Sequence, residues 1–210
     1  MSIYALKPAF QNLLRPLVRQ LHAAGVTANQ VTSIATLASV GVGALLWWQA
    51  AGDRRLFLLL PLWMFLRMAL NAIDGMLARE FGQKSRLGAM LNELGDVVSD
   101  AALYAPLALV APFQPVSVAV VIVLATISEF AGALGPSIGA ERRYDGPMGK
   151  SDRAAVFGAL GLWIGIGGTL PGVLGWLMPL IAVAIAWTIV RRVRNAMRSI
   201  PPAANRDSQT

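Results

Sequence analysis

Cysteine is absent from all 210 residues, which excludes disulfides, thiolate metal sites and a cysteine nucleophile. Charge is scarce as well. Only 14% of the residues are Asp, Glu, Lys or Arg, against roughly a quarter in a soluble domain. The N-terminal "MSIYALKPAFQNLLRPLVRQLH" lacks a continuous apolar core followed by a small-residue cleavage site, so no cleavable signal is expected. What fills the chain instead is hydrophobic residues, 56% of the total. They recur in runs of about 20, each long enough to cross a bilayer core of about 30 Å. The composition implies an all-α integral membrane protein folded as one unit. Its net charge of +7 then reads as cytoplasmic loops facing anionic membrane lipids, with no nucleic acid as partner.

Residues 5–23 read as an interfacial helix on the cytoplasmic side. Phe10, Leu13, Leu14, Leu17, Val18 and Leu21 share one face, and Lys7, Gln11, Arg15 and Arg19 take the other. Pro16 is expected to kink it, and packing on the protein's own flank is equally compatible with the pattern. Thr27 is a plausible N-cap for the next helix. Six transmembrane spans are expected at 29–51, 56–78, 87–111, 115–139, 152–170 and 173–192. The expected organisation is an amphipathic segment over 1–26, a six-span domain over 27–195 and a disordered cytoplasmic tail over 196–210. With these spans, 15 of the 18 basic residues fall on one side, Arg54 and Arg55 on the other, and Arg67 inside span two. The positive-inside rule places both termini in the cytoplasm.

Against this background "NAIDGMLAREFGQKSRLGAMLNELGD", residues 71–96, is out of place. A single acid at the bilayer centre costs roughly 2.5–3.5 kcal/mol, and this region carries Asp74, Glu93, Asp96 and Asp100 beside Arg67. They must face the bundle interior or a wet cavity. Arg67, Asn71, Asp74 and Ala78 are spaced along one helix face, and so are Asn92, Asp96 and Asp100. If spans two and three are antiparallel and meet near Arg79 and Gly88, Asn71 and Asp96 lie roughly 12 Å below the turn. Arg67 and Asp100 lie deeper and are expected to pair, directly or through water. A site at that depth opens to the cytoplasmic leaflet and suits chemistry on a lipid headgroup. The bland alternative is an interior hydrogen-bond network that only joins helices.

These residues resemble the signature of the CDP-alcohol phosphotransferases, D-x2-D-G-x2-A-R followed by eight or nine residues and G-x3-D-x3-D. The chain reads Asn71-x2-Asp74-Gly75-x2-Ala78-Arg79, eight residues, then Gly88-x3-Asn92-x3-Asp96. The resemblance implies transfer of a phosphatidyl group from a CDP-linked lipid such as CDP-diacylglycerol to an alcohol acceptor, with release of CMP, in phospholipid biosynthesis. It implies Mg²⁺ or Mn²⁺ held by the positions of Asn71, Asp74, Asn92 and Asp96, with Asp96 also the catalytic base. It implies nucleotide and diphosphate binding by Asp74, Gly75, Ala78, Arg79 and Gly88. The departure is that the first and third aspartates are Asn71 and Asn92. An amide oxygen can ligate a hard cation but brings no charge. The open alternatives are one metal instead of two, completion by substrate phosphates, recruitment of Glu93 or Asp100, or lost activity.

A second segment, "ERRYDGPMGKSDRA" over 141–154, resembles the family's G-x3-K/R-x-D/E-R on the acceptor side. Arg142, Arg143, Lys150 and Arg153 are expected to bind a phosphate-bearing acceptor or an anionic headgroup. For Arg142 and Arg143 a topology signal explains the charge equally well. Arg67 is expected to support Asn71 and Asp96 from behind. Glu129 could join the cavity or a buried network. Gly161-x3-Gly165 suggests close helix packing, with a homodimer face as one use. Trp47, Trp48 and Trp187 read as interfacial anchors or packing, and His22 as an interfacial polar residue. The expected location is the inner (cytoplasmic) membrane of a bacterium. Two other readings stay open, a degenerate family member that binds CDP-lipid or scaffolds partners, and an intramembrane prenyltransferase.

Overall fold

The computed structural model describes residues 3–49 and 52–199. It is all-helical there, with seven α-helices: α1 (Ile3–Ala23), α2 (Ala28–Gln49), α3 (Leu59–Glu80), α4 (Arg86–Tyr104), α5 (Pro115–Ala133), α6 (Lys150–Gly165) and α7 (Leu177–Ser199). Short 3₁₀ turns extend α3 and α7 at their starts and follow α4 and α5.

Four segments are long and apolar enough to cross a membrane: Ala28–Gln49, Arg54–Glu80, Pro115–Ala133 and Gly172–Ser199. The other two expected spans differ for a physical reason. α4 carries Glu93, Asp96 and Asp100 along its length, and α6 is only 16 residues long and opens with Lys150, Asp152 and Arg153. The expected boundaries shift too. Span three leaves the α-helix at Tyr104, span four ends at Ala133, span five covers 150–165, and span six runs on to Ser199. That last helix takes in the start of the expected tail, whose remainder, 200–210, lies outside the described residues.

Helices α2 to α7 each bury one stripe and turn apolar residues outward. On α2 the buried positions are Ala28, Val31, Thr32, Ala35, Ser39, Gly43 and Leu46, a helical spacing of three and four. The outward faces show Leu37, Leu62, Val116 and Val183, a surface that is apolar all round, as a lipid-facing bundle requires. The main core joins Leu46, Phe57, Leu60, Leu103, Leu107, Phe157, Ile164 and Ile185. Within it the Tyr104 ring stacks on Phe157 with centroids 3.8 Å apart.

α2 packs on α3 and α4, α3 on α6, and α5 on α4 and α7. Two close approaches explain small residues. A Cβ on Gly43 would land on the Ala102 carbonyl, so α2 and α4 meet backbone to backbone. A Cβ on Gly161 would sit 2.8 Å from Leu60 Cβ and 3.0 Å from the Phe57 carbonyl, and one on Gly165 2.6 Å from Leu58 Cγ. The Gly161 and Gly165 pair therefore serves close packing inside the chain, against the start of α3.

α1 is one unbroken helix through Pro8 and Pro16. Its Val18, with Leu14 and Leu21, packs on Val31, Ile73 and Leu77. Leu13 and Leu17, expected on the same face, are exposed. Arg15 donates to Glu80 at 3.0 Å. Thr27 Oγ1 accepts from Gln30 N while Gln30 Oε1 accepts from Thr27 N, which caps α2 from both directions. The His22 ring packs at a tilt on Phe81, with centroids 4.3 Å apart. Trp47, Trp48 and Trp187 are all exposed.

Candidate active site

The turn between α3 and α4 sets the site. Gly82 takes φ +68°, a left-handed conformation that glycine adopts without steric cost. Ser85 then caps α4 by accepting from Gly88 N at 2.9 Å. The two helices are returned antiparallel, and their polar stripes face one cavity of about 700 Å³. Asn71, Asp74, Gly75, Ala78, Arg79, Gly88, Asn92 and Glu93 all line it. So do Thr32, Lys84, Arg142, Tyr144 and Lys150.

A second cavity of about 320 Å³ adjoins it, lined by Asp96, Glu129, Gly149, Asp152 and Arg192. The two share Asn92, Arg142, Tyr144 and Lys150. A third, of about 520 Å³, lies between α3 and α6 and is lined by Met64, Phe65, Met68, Ala155 and Leu162. It meets the first cavity at Asn71 and Lys150, so an apolar groove opens directly onto the polar pocket.

Beneath the pocket lies a chain of buried ion pairs. Arg67 donates to Asp100 at 2.6 Å and to Asp96 Oδ1 at 3.0 Å. Arg153, with 0% exposure, donates to Asp100 at 3.1 Å and to Glu129 at 3.0 Å. Arg192 reaches Glu129 at 3.4 Å. No member is stranded, the condition for charges to persist at this depth. Asp100 is thereby committed to two arginines and stands away from the open cavities, so it does not replace a missing ligand there. Arg153, expected on the acceptor side, is likewise part of this buried chain and lines neither of the two polar cavities.

Nearer the opening, Lys150 pairs with Asp96 and Arg142 with Glu93. Arg143 turns to Asp145 at 3.0 Å, away from both cavities. Arg67 and Lys150 make their closest contacts with Asp96 at Oδ1, and among the described residues no hydrogen bond is donated to Oδ2.

Several contributors were not singled out from the sequence. Thr32 donates to Asp74 at 2.7 Å, orienting a carboxylate from the neighbouring helix. Tyr144 lines both polar cavities, with the Arg142 guanidinium 5.0 Å from its ring centroid. Arg192, grouped by sequence with the basic tail, is 2% exposed. It donates to the Ser128 and Asp145 carbonyls, and Thr188 one turn earlier accepts from Met148 N at 3.1 Å. α7 thus grips the loop that carries Arg142 and Tyr144.

The donor set limits what metal could bind. Among the described residues no three His, Cys, Asp or Glu side chains gather at metal-binding distance. Asp74, Asn71 and Asn92 offer one carboxylate and two amide oxygens to a common cavity, and Asp96 lies next to them with its Oδ2 unengaged. Oxygen donors of this kind fit one hard cation whose shell is completed by a ligand's phosphates. Two complete shells do not fit.

The sequence pattern of the CDP-alcohol phosphatidyltransferases matches residues 25–190. The chain is 45% identical over 201 residues to the inner membrane protein YnbA of Escherichia coli strain K12, covering 94% of this chain and 97% of that one. It is 36% identical over 102 residues to the phosphatidylinositol phosphate synthase of Mycobacterium marinum, covering 47% and 40%. In three dimensions it resembles the Mycobacterium tuberculosis phosphatidylinositol phosphate synthase crystallised with CDP-DAG, at a TM-score of 0.73 and 24% identity over 90% of this chain and 97% of that one. The same enzyme in complex with manganese and citrate superposes with a TM-score of 0.72.

Proposed function

Because the chain belongs to the CDP-alcohol phosphatidyltransferase family, we propose that its two joined cavities hold the two substrates of such a transfer, with Asp96 at their boundary. The observation that carries this reading is the convergence of the signature. Seven of its eight residues line one cavity, and the eighth, Asp96, lines the next. The diphosphate of a CDP-linked lipid fits the first cavity, where Arg79 and Lys84 form no ion pair among the described residues and are available to phosphate oxygens. The lipid tails lie in the apolar groove between α3 and α6.

The acceptor alcohol occupies the second cavity with its hydroxyl toward Asp96. Asp96 Oδ2 takes the hydroxyl proton as the oxygen attacks the lipid-side phosphorus. The bond from that phosphorus to the bridging oxygen breaks, and CMP leaves with the electron pair on a phosphate that Arg79 and Lys84 stabilise. Arg67 and Lys150 hold Asp96 in place from Oδ1. Asn71, Asp74, Asn92 and Asp96 would hold Mg²⁺ or Mn²⁺, which when bound neutralises diphosphate charge.

The bundle reading is completed by α4 and α6 as the two remaining spans. They are shielded from lipid where charged, with α1 on the cytoplasmic surface and both termini on that side. The relative's description as an inner membrane protein supports the same location here.

The test is CMP release from CDP-diacylglycerol by the purified protein across a panel of alcohols, with and without Mn²⁺. Transfer predicts CMP and a new lipid in equal amounts. CDP-lipid binding without release under any condition would leave a binding protein, the reading that Asn71 and Asn92 favour. For the metal, substrate-free Mn²⁺ affinity is expected to be weak and to rise when CDP-lipid adds phosphate oxygens. Asn71→Asp with Asn92→Asp should tighten it. Two tight sites in the native protein by calorimetry would contradict this.

A further inference from the structure

The two polar cavities differ in charge, and the difference bears on which alcohol is used. The lining of the first contains Arg79, Lys84, Arg142 and Lys150 against Asp74 and Glu93, a surplus of two positive charges. The second contains Arg142, Lys150 and Arg192 against Asp96, Glu129 and Asp152, which balance. The balance is local as well as formal. Lys150 is on Asp96, Arg192 on Glu129, and Arg142 on Glu93 just across the shared wall. Asp152 accepts from Gly149 N and so caps α6.

A phosphate monoester entering this cavity would have to take a cation from a carboxylate and leave that carboxylate uncompensated. It would also lie against Asp96 and Glu129, and like charges in contact cost several kcal/mol. Polar groups that are already paired, around a small wet space, suit hydroxyls, which donate to carboxylates and accept from ammonium or guanidinium groups without displacing either.

We propose that the acceptor is an uncharged hydroxyl compound, a polyol or simple alcohol without a phosphate group, and that Glu129 is the residue that sets this preference by neutralising Arg192 and Arg153. This rests on the transfer reading above and reverses the sequence expectation of a phosphate-bearing acceptor at Arg142, Arg143, Lys150 and Arg153.

The experiment uses the full chain with CDP-diacylglycerol and matched acceptors, glycerol against glycerol 3-phosphate and inositol against inositol phosphate. It is read by CMP release and by the mass of the lipid product. In parallel, inorganic phosphate is titrated calorimetrically into the protein with CDP saturating the first cavity. The neutral member of a pair should be used in preference, by roughly tenfold or more. Native protein should show no saturable phosphate binding, and Glu129→Gln should acquire it.

Turnover with phosphorylated acceptors alone would overturn this inference and leave the transfer reading intact. No turnover with any acceptor would overturn the transfer reading, and the phosphate titration would then decide the character of the cavity. Saturable phosphate binding to native protein, lost in Lys150→Gln or Arg142→Gln, would show a phosphate site and refute the inference.

Discussion

Replacing Asp96 by Asn is expected to lower CMP release by about 10²–10⁴-fold, the usual contribution of a positioned general base. The amide keeps the size of the side chain and an oxygen at the Oδ1 position, so Arg67 and Lys150 retain an acceptor. What is lost is the proton-accepting oxygen between the two cavities. CDP-lipid binding should persist, because Arg79 and Lys84, the residues proposed to hold the diphosphate, line the neighbouring cavity. Measuring binding and turnover on the same preparation separates the two effects. A variant with near-native turnover would remove the base assignment. One that also fails to bind CDP-lipid would show that Asp96 serves chiefly to organise the pocket.

The second large effect is on stability. Arg67→Leu or Asp100→Leu alone should destabilise the detergent-solubilised protein by up to about 3–5 kcal/mol, because each takes away one of a buried charge's two partners and leaves the network unbalanced. Both residues are 5% exposed. The double substitution should cost less than the worse single one, because the survivors already have other partners. Asp96 keeps Lys150, and Arg153 keeps Glu129. Thermal unfolding of the four proteins in one detergent measures the coupling. Strictly additive losses would mean that the pair contributes nothing as a pair.

Helix periodicity was enough to place Arg67, Asn71 and Asp74 opposite Asn92, Asp96 and Asp100, since the first stripe is spaced by four and three, the second by four and four, and the turn between them is short. It could not say which ion meets which. Lys150 and Asp96, or Arg153 and Glu129, lie far apart in sequence, and their pairing depends on how α6 and α5 pack.

Arg192 shows a different limit. Among several basic residues near the C-terminus it looked like topology charge. Yet it continues the buried stripe Met178, Ile181, Ile185 and Thr188, and following that stripe one turn further would have found it. Thr32 offered no such cue, because hydroxyls in apolar helices commonly bond their own backbone, as Thr32 also does to Ala28. The short reach of α6 was hidden for a compositional reason. Residues 166–170 are apolar enough to continue a span, but Gly167, at φ +81°, turns the chain there.

The groove between α3 and α6 has a kinetic meaning. Its wall carries Phe65 and Met68, both exposed on the outer face of α3, and it runs to Asn71 and Lys150 at the polar pocket. An amphiphile arriving through it leaves the bilayer sideways and never crosses bulk water. Its effective concentration is then its share of the molecules in the membrane, not its amount per litre. Blending inert phospholipid into the same vesicles thins the substrate and slows encounter at constant total amount, whereas adding more vesicles of unchanged composition does not. Rates for this protein are properly compared at equal surface fraction, with the water-soluble alcohol alone counted in three dimensions.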